Sequence, residues 1–312
     1  MVDLEVRELR YFQAVAEELN VTRAARRLGI AQPPLSRAIR RLERRLGTDL
    51  LDRTGHRLSL TPAGLRLLDE ARRVLDAVSA AAHRTRRAAR PTLVITAKPC
   101  VATGLLRDIV SAVAGMPEAP HVEVAVSGYG EQPGMLRDGR ADLALLGSPY
   151  DLSGLEAEPL LTEPRVAALP RTHPLAARAV LTCSDLAGSP MPRWPGGNTA
   201  EQDYWAGRDT APGGERPAGP TVHDTSQLLE VVALGQAVAL IPSSFTGRYH
   251  GDDIVYRPVR DASAYTIAVA WREGLRDPWI ARVVRAAAEV AADGTDRAEP
   301  AEPVRCRVPQ SV

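Results

Sequence analysis

The stretch Ala31–Glu43, AQPPLSRAIRRLE, admits few structures. Two adjacent prolines suit the first turn of a helix, where a missing N–H leaves no hydrogen bond unmade. A helix opening at Gln32 or Pro33 lines Leu35, Ile39, Leu42 and Leu46 along one face. Its other face carries Gln32, Ser36, Arg37, Arg40, Arg41 and Arg44. Such a face can meet base edges with its first turn and phosphates with its guanidinium groups. For an isolated helix, a merely solvated basic face is the simpler reading. The preceding segment Asn20–Ile30 shifts the balance. Thr22 is placed to cap a short helix ending near Leu28, and Gly29 supplies a left-handed turn. Ala24 and Ala25 are small enough for a second helix to cross closely. A short helix, a tight glycine turn and a second helix with a polar leading edge make a helix-turn-helix.

Charge is placed to match. Net charge over the 312 residues is +1, yet residues 1–90 sum to +8 and the remainder to −7. The basic part is the expected partner of a polyanion, and the acidic part has another task. Lys98 is the only lysine, so almost all positive charge is arginine. Three widely spaced cysteines form neither a disulfide framework nor a zinc pattern. The start of the chain has no basic-then-apolar leader, and no apolar run reaches membrane-spanning length. A soluble cytoplasmic protein without membrane partners is expected.

Taken in order, Val6, Leu9, Phe12, Val15, Ala16 and Leu19 form the apolar side of a first helix, about residues 5–18. Tyr11 lies off that stripe. Gly47 ends the basic helix. Residues 49–60 then read as two short strands around Thr54-Gly55-His56, a wing. His56 and Arg57 at its tip suit a minor groove, while Arg53 suits a phosphate or an internal carboxylate. Thr61-Pro62 opens a helix that runs without a breaker to about Ala89. Leu68, Ala71, Leu75, Val78 and Ala82 alternate at three and four residues, as in a coiled-coil seam. Burial against the helix's own domain is the alternative. The seam predicts a homodimer that holds two half-sites on one frame.

After Pro91 the texture becomes α/β alternation with a parallel sheet. Strands are expected at 93–96, 122–126, 141–146, 165–169, 237–241 and 265–271. Helices are expected at 101–113, 132–137, 226–234 and 278–291. Arg193–Pro220 reads as a loop-rich stretch, and 292–312 as a polar, disordered tail. The domains are thus 1–61, 62–90, 91–291 and the tail. The fold class is an N-terminal winged helix-turn-helix, a long linker helix, and an α/β domain.

This order of parts resembles the LysR-type transcriptional regulators. Leu9–Ala16, Thr22–Gly29 and Gln32–Gly47 look like that family's helix-turn-helix, and Leu50–Gly64 like its wing and linker start. Further on, Arg137–Leu145, His173-Pro174-Leu175 and Leu229–Pro242 also match. Two positions depart: Ala31 stands where the family often has serine, and Val21 where it often has an aromatic residue. The resemblance implies a two-lobed effector domain like periplasmic binding proteins, with lobes at about 92–164 plus 266–291 and at 165–265. It implies that Gln32, Pro33, Ser36 and Arg37 face the groove. It implies an effector cleft lined by residues just after sheet strands: Cys100, Val101 and Tyr129 in one lobe, Arg193, Trp194, Asp224 and Thr225 in the other. N–H groups near Cys100 and the Arg193 guanidinium suit an anionic small molecule, and Tyr129 and Trp194 offer aromatic walls. The packing alternative for Tyr129 and Trp194, and the helix-cap alternative for Asp224, stay open.

The implied partners are double-stranded DNA, an effector, and further copies of the chain as dimer or tetramer. No cofactor or metal is expected. A redox role for Cys100 lacks the close cysteine pair of the family's peroxide sensors, since Cys183 has no such neighbour and Cys306 lies in the tail. A ligand-independent architectural DNA binder is the rival reading. An enzyme fused to a DNA-binding domain is the other. Against it, the chain has no glycine-rich phosphate loop, nucleophile elbow or metal-ligand cluster.

Overall fold

The computed structural model describes residues 4–53, 58–87, 92–99, 102–210, 217–248 and 251–297. They divide into two units: Met1–Ala89 with Arg137–Arg140, and Arg90–Leu136 with Ala141–Val312.

In the first unit, helices α1 (Val6–Glu18), α2 (Val21–Leu28) and α3 (Gln32–Leu46) precede strands β1 (Leu51–Asp52) and β2 (Ser59–Leu60) and the long helix α4 (Pro62–Arg87). The apolar spacing read from the sequence builds the core: Phe12, Val15, Ala24, Ala25, Leu35, Ile39 and Leu42 are buried together. Tyr11 packs against this cluster at its margin. Leu19 does not extend the stripe. It ends α1 in the left-handed region, with φ 44°, and is 46% exposed. The cap of α2 is Asn20, whose side chain accepts from the Arg23 N–H, and not Thr22, which lies inside the helix. Gly29 and Gly47 end α2 and α3 at φ 67° and 70°, a region that favours glycine. Ala31 caps α3 with no side-chain bond. Thr61 caps α4 by accepting from the Gly64 N–H at 3.0 Å.

The second unit alternates as expected at first: β3 (Thr92–Ala97), α5 (Thr103–Ala114), β4 (His121–Val126), α6 (Gln132–Arg137), β5 (Leu143–Gly147) and β6 (Leu155–Glu163). There follow β7 (Arg165–Pro170), β8 (Met191–Arg193), α7 (Thr199–Trp205), β9 (Ala218–Thr221), α8 (Thr225–Ala233), β10 (Ala239–Pro242), β11 (Ile254–Pro258), β12 (Tyr265–Arg272) and α9 (Pro278–Arg297). One sheet has the order β4-β3-β5-β12-β6 and another β10-β7-β11.

The expectation of a parallel sheet holds for β4, β3 and β5 and for the small β8–β9 pair. β12 is antiparallel to β5 and β6 because the chain returns along it from the second lobe. The second sheet is antiparallel throughout. The stretch expected to be loop-rich contains α7 and β9. Its signal is local: Asn198 accepts from the Glu201 N–H at 2.9 Å, an N-cap with an acidic first turn. Helix α9 extends to Arg297, past the start expected for the tail, and the rest of that tail lies outside the described residues.

The two lobes are joined where β6 gives way to β7 and where the chain enters β12. Arg165 sits at this junction with its side chain fully buried. It donates to the Ser263 carbonyl, the Ser263 hydroxyl and the Tyr204 carbonyl, each at 2.6 Å. Its guanidinium also lies 3.8 Å from the centre of the Tyr204 ring. A buried cation is tolerable when its donors are satisfied in this way. The Tyr204 hydroxyl donates to the Ala264 carbonyl at 3.0 Å, so both crossings are tied to one helix, α7.

Candidate functional site

Two sites emerge, one in each unit. On α3, Gln32, Pro33, Arg37, Arg40, Arg41 and Arg44 are exposed and Ser36 is half-buried. None of these four arginines has an ion-pair partner among the described residues. The arginines with structural roles lie elsewhere. Arg45 grips the buried Glu8 of α1 at 2.8 and 3.0 Å. Arg53 bonds Glu43 at 3.1 Å, the internal-carboxylate alternative. Glu43 is itself buried and accepts from the Leu50 and Leu51 N–H groups at 3.1 and 3.2 Å. The carboxylate thereby fixes the start of the wing to the basic helix. Thr54, Gly55, His56 and Arg57 lie outside the described residues.

The seam on α4 divides. Leu68 is buried in the helix-turn-helix core, and Ala71 and Leu75 are buried with Leu9 of α1. Three of the five stripe residues therefore pack inside one chain, as the alternative reading had it. Val78 and Ala82 are exposed, and so is Val74.

The second site lies between the lobes. Its cavity, about 70 Å³, is lined by residues including Lys98, Tyr129, Trp194, Trp205, Thr225 and Phe245. Tyr129 stacks on Trp194 with centroids 4.1 Å apart and planes 10° from parallel. Its hydroxyl donates to a Glu201 carboxylate oxygen and accepts from the Trp205 indole N–H at 2.7 Å. Tyr129 is carried on the loop after β4. That loop is held by Gln132, which donates to the Ser127 hydroxyl and the Gly128 carbonyl at 2.7 Å each.

The Lys98 ammonium lies 4.9, 5.7 and 5.8 Å from the ring centres of Tyr129, Trp205 and Tyr265. Burial among these rings lowers its pKa to about 8, while Glu201 acts in the opposite direction. The Tyr129 hydroxyl is pushed up, first by burial and then by its bond to Glu201.

Of the cleft residues expected from the sequence, Tyr129, Trp194, Asp224 and Thr225 line this cavity. Cys100 and Val101 lie outside the described residues. Asp224 caps α8, accepting from the Gln227 N–H at 2.8 Å. Thr225 is the first residue of that helix. Arg193 does not line the interlobe cavity. It is the exposed last residue of β8 and borders a separate pocket within the second lobe. Sequence reasoning missed Lys98, Glu201 and Trp205. The sole lysine in an arginine-rich chain, placed at the end of a buried strand, was the available signal for the first.

Among the described residues, no cluster of three metal-ligating side chains is present, and no helix is long and apolar enough to cross a membrane.

Comparison with known proteins covers both units. Residues 6–65 match the model of the bacterial regulatory helix-turn-helix protein, lysR family. Residues 86–292 match that of the LysR substrate binding domain. The chain is 32% identical to the HTH-type transcriptional regulator AlsR of Bacillus subtilis over 81% of its length and 85% of AlsR. It is 31% identical to the HTH-type transcriptional regulator CatR of Pseudomonas putida, over 92% of the chain and all of CatR. Among solved structures, full-length CbnR in complex with its target DNA superposes with a TM-score of 0.50 at 26% identity, covering 92% of this chain and 100% of CbnR. With the two family models together spanning residues 6–65 and 86–292, the chain belongs to the LysR family of DNA-binding transcriptional regulators with an effector-binding domain.

Proposed function

We propose that α3 reads an operator through Gln32, Pro33, Ser36 and Arg37, with Arg40 on phosphates and His56 and Arg57 of the wing in the adjacent minor groove. Arg53 acts through Glu43, holding the wing in register. The effector is a small anion bound between the lobes. One observation carries this reading: the Lys98 ammonium and the first turn of α8 border the same cavity. A cation and the N-terminus of a helix both favour negative charge. Tyr129 and Trp194 supply the apolar walls.

A cavity of about 70 Å³ is well under the few hundred Å³ typical of small-molecule sites. Entry therefore requires the Tyr129–Trp194 stack to part and the lobes to open. Ligand binding favours one lobe arrangement over the other, and operator binding follows that equilibrium. Thr225 contributes a hydroxyl at the helix start.

The chain works as a regulator and not as a catalyst, in the cytoplasm, where its operator is. Its domains are the winged helix-turn-helix at 1–61, the linker helix at 62–90 and the effector domain at 91–291. Regulators of this family act as oligomers. The exposed residues Val74, Val78 and Ala82 of α4 are the surface a second copy covers.

The test begins with a thermal-shift screen of small carboxylates on the full chain. A carboxylate that raises the melting temperature of wild type but not of Lys98→Met or Thr225→Ala supports the site. Equal stabilisation of all three proteins places the ligand elsewhere.

A further inference from the structure

The pocket that received Arg193 is larger than the interlobe cavity, about 240 Å³ against about 70 Å³. It lies wholly in the second lobe, between α7 and the β8–β9 pair. Two features give it chemical character. Arg193 borders it with a guanidinium that has no partner among the described residues. The second cation in the lining, Arg208, is already committed to Asp203 at 2.6 and 2.7 Å. Glu201 also borders the pocket, so a free cation and a carboxylate share one concavity. Trp194, Trp205 and Met191 supply apolar wall.

A simple anion would be attracted by Arg193 and repelled by Glu201, and a simple cation the reverse. A molecule carrying both charges satisfies both groups and loses least on desolvation. We propose that this pocket is a second small-molecule site, selective for a free α-amino acid with an apolar side chain. Its carboxylate pairs with Arg193, its ammonium with Glu201, and its side chain lies along the tryptophans.

The pocket also touches the first site. Trp194, Trp205 and Glu201 are shared: the two tryptophans line both cavities, and the Glu201 carboxylate is the acceptor for Tyr129. An ammonium drawn to Glu201 competes with the Tyr129 hydroxyl and so loosens the contact that closes the interlobe cavity. Occupancy of the pocket itself does not depend on the effector reading.

The experiment is calorimetric titration of the full chain with L-phenylalanine and L-leucine, with benzoate and phenethylamine as single-charge probes. The site predicts that at least one amino acid binds about tenfold or more tightly than either single-charge probe. Arg193→Ala weakens that amino acid by about tenfold. Glu201→Gln abolishes its advantage over benzoate. Thr225→Ala, which alters only the interlobe cavity, leaves amino-acid affinity within about twofold. Undiminished affinity in Arg193→Ala overturns the proposal, as does loss of binding in Thr225→Ala, which would seat the amino acid between the lobes. Failure of both amino acids to bind at about 10 mM overturns it as well, and leaves the carboxylate screen on the interlobe cavity to be decided separately.

Discussion

At the scale of single residues, Lys98 has the most consequences. Its pKa of about 8 is below that of an unfolded lysine, so the unfolded chain holds more protons between about pH 8 and 10.5. Stability attributable to this group therefore rises with pH across that window. Ligand binding runs the other way, because an anion needs the protonated ammonium. Affinity for a carboxylate effector should fall as pH rises through about 8, and Lys98→Met should flatten that profile. Calorimetric titrations from pH 6.5 to 9 measure it. A profile that stays steep in the variant would assign the titration to another group.

Gln32 and Ser36 lie one turn apart at the start of α3. Replacing either with alanine should cost about 1–3 kcal/mol on the cognate operator and little on random DNA. Equal losses on both DNAs, in a competition binding assay, would show that these residues do not read sequence. The exposed polar face of α3 was legible in the sequence because its residues recur on one helix with a simple period. The cleft residues were harder to see. Tyr129, Trp194 and Glu201 come from three distant segments, and their meeting depends on how β4 and β8 end and where α7 begins. Arg193 shows the limit: its neighbour Trp194 is buried and borders both cavities, while Arg193, the exposed last residue of β8, borders only the pocket in the second lobe.

At the scale of elements, the wing depends on one carboxylate. Glu43 is buried, satisfies two backbone N–H groups and holds Arg53. Glu43→Ala leaves those donors without an acceptor, which costs about 2 kcal/mol. Chemical denaturation should register the loss, and operator affinity should fall with it. Unchanged stability would mean that water replaces the carboxylate at no cost.

Helix α4 teaches a related lesson about what periodicity can show. A stripe at three- and four-residue spacing says that one face is covered, but not by which partner. In this chain Leu68, Ala71 and Leu75 are covered from within, by α1 and the core beneath it. Antiparallel pairing of β12 was equally invisible, because an apolar run such as Tyr265–Trp271 suits a central strand of either direction. Helix α7 was hidden for a different reason. Glycines and prolines on both sides of Thr199–Trp205 gave the whole stretch the composition of a loop.

At the scale of the whole molecule, a regulator of this kind gains affinity by placing two reading helices on one operator. Val78→Asp puts an unpaired charge on the exposed part of α4 assigned to the second copy. Sedimentation should show a shift toward monomer, accompanied by weaker operator binding. A dimer of normal strength would move the interface to another surface.

The account joins a DNA-reading helix to a small anion held between two lobes, and one measurement addresses that link. It is the footprint of the full chain on its operator, with and without a carboxylate that the thermal-shift screen selects, in wild type and in Lys98→Met. The account predicts that the carboxylate reshapes the wild-type footprint and that the variant shows no ligand-dependent change at the same concentration. A footprint that responds equally in both proteins, or a carboxylate that binds wild type between the lobes and leaves its footprint unaltered, would contradict it.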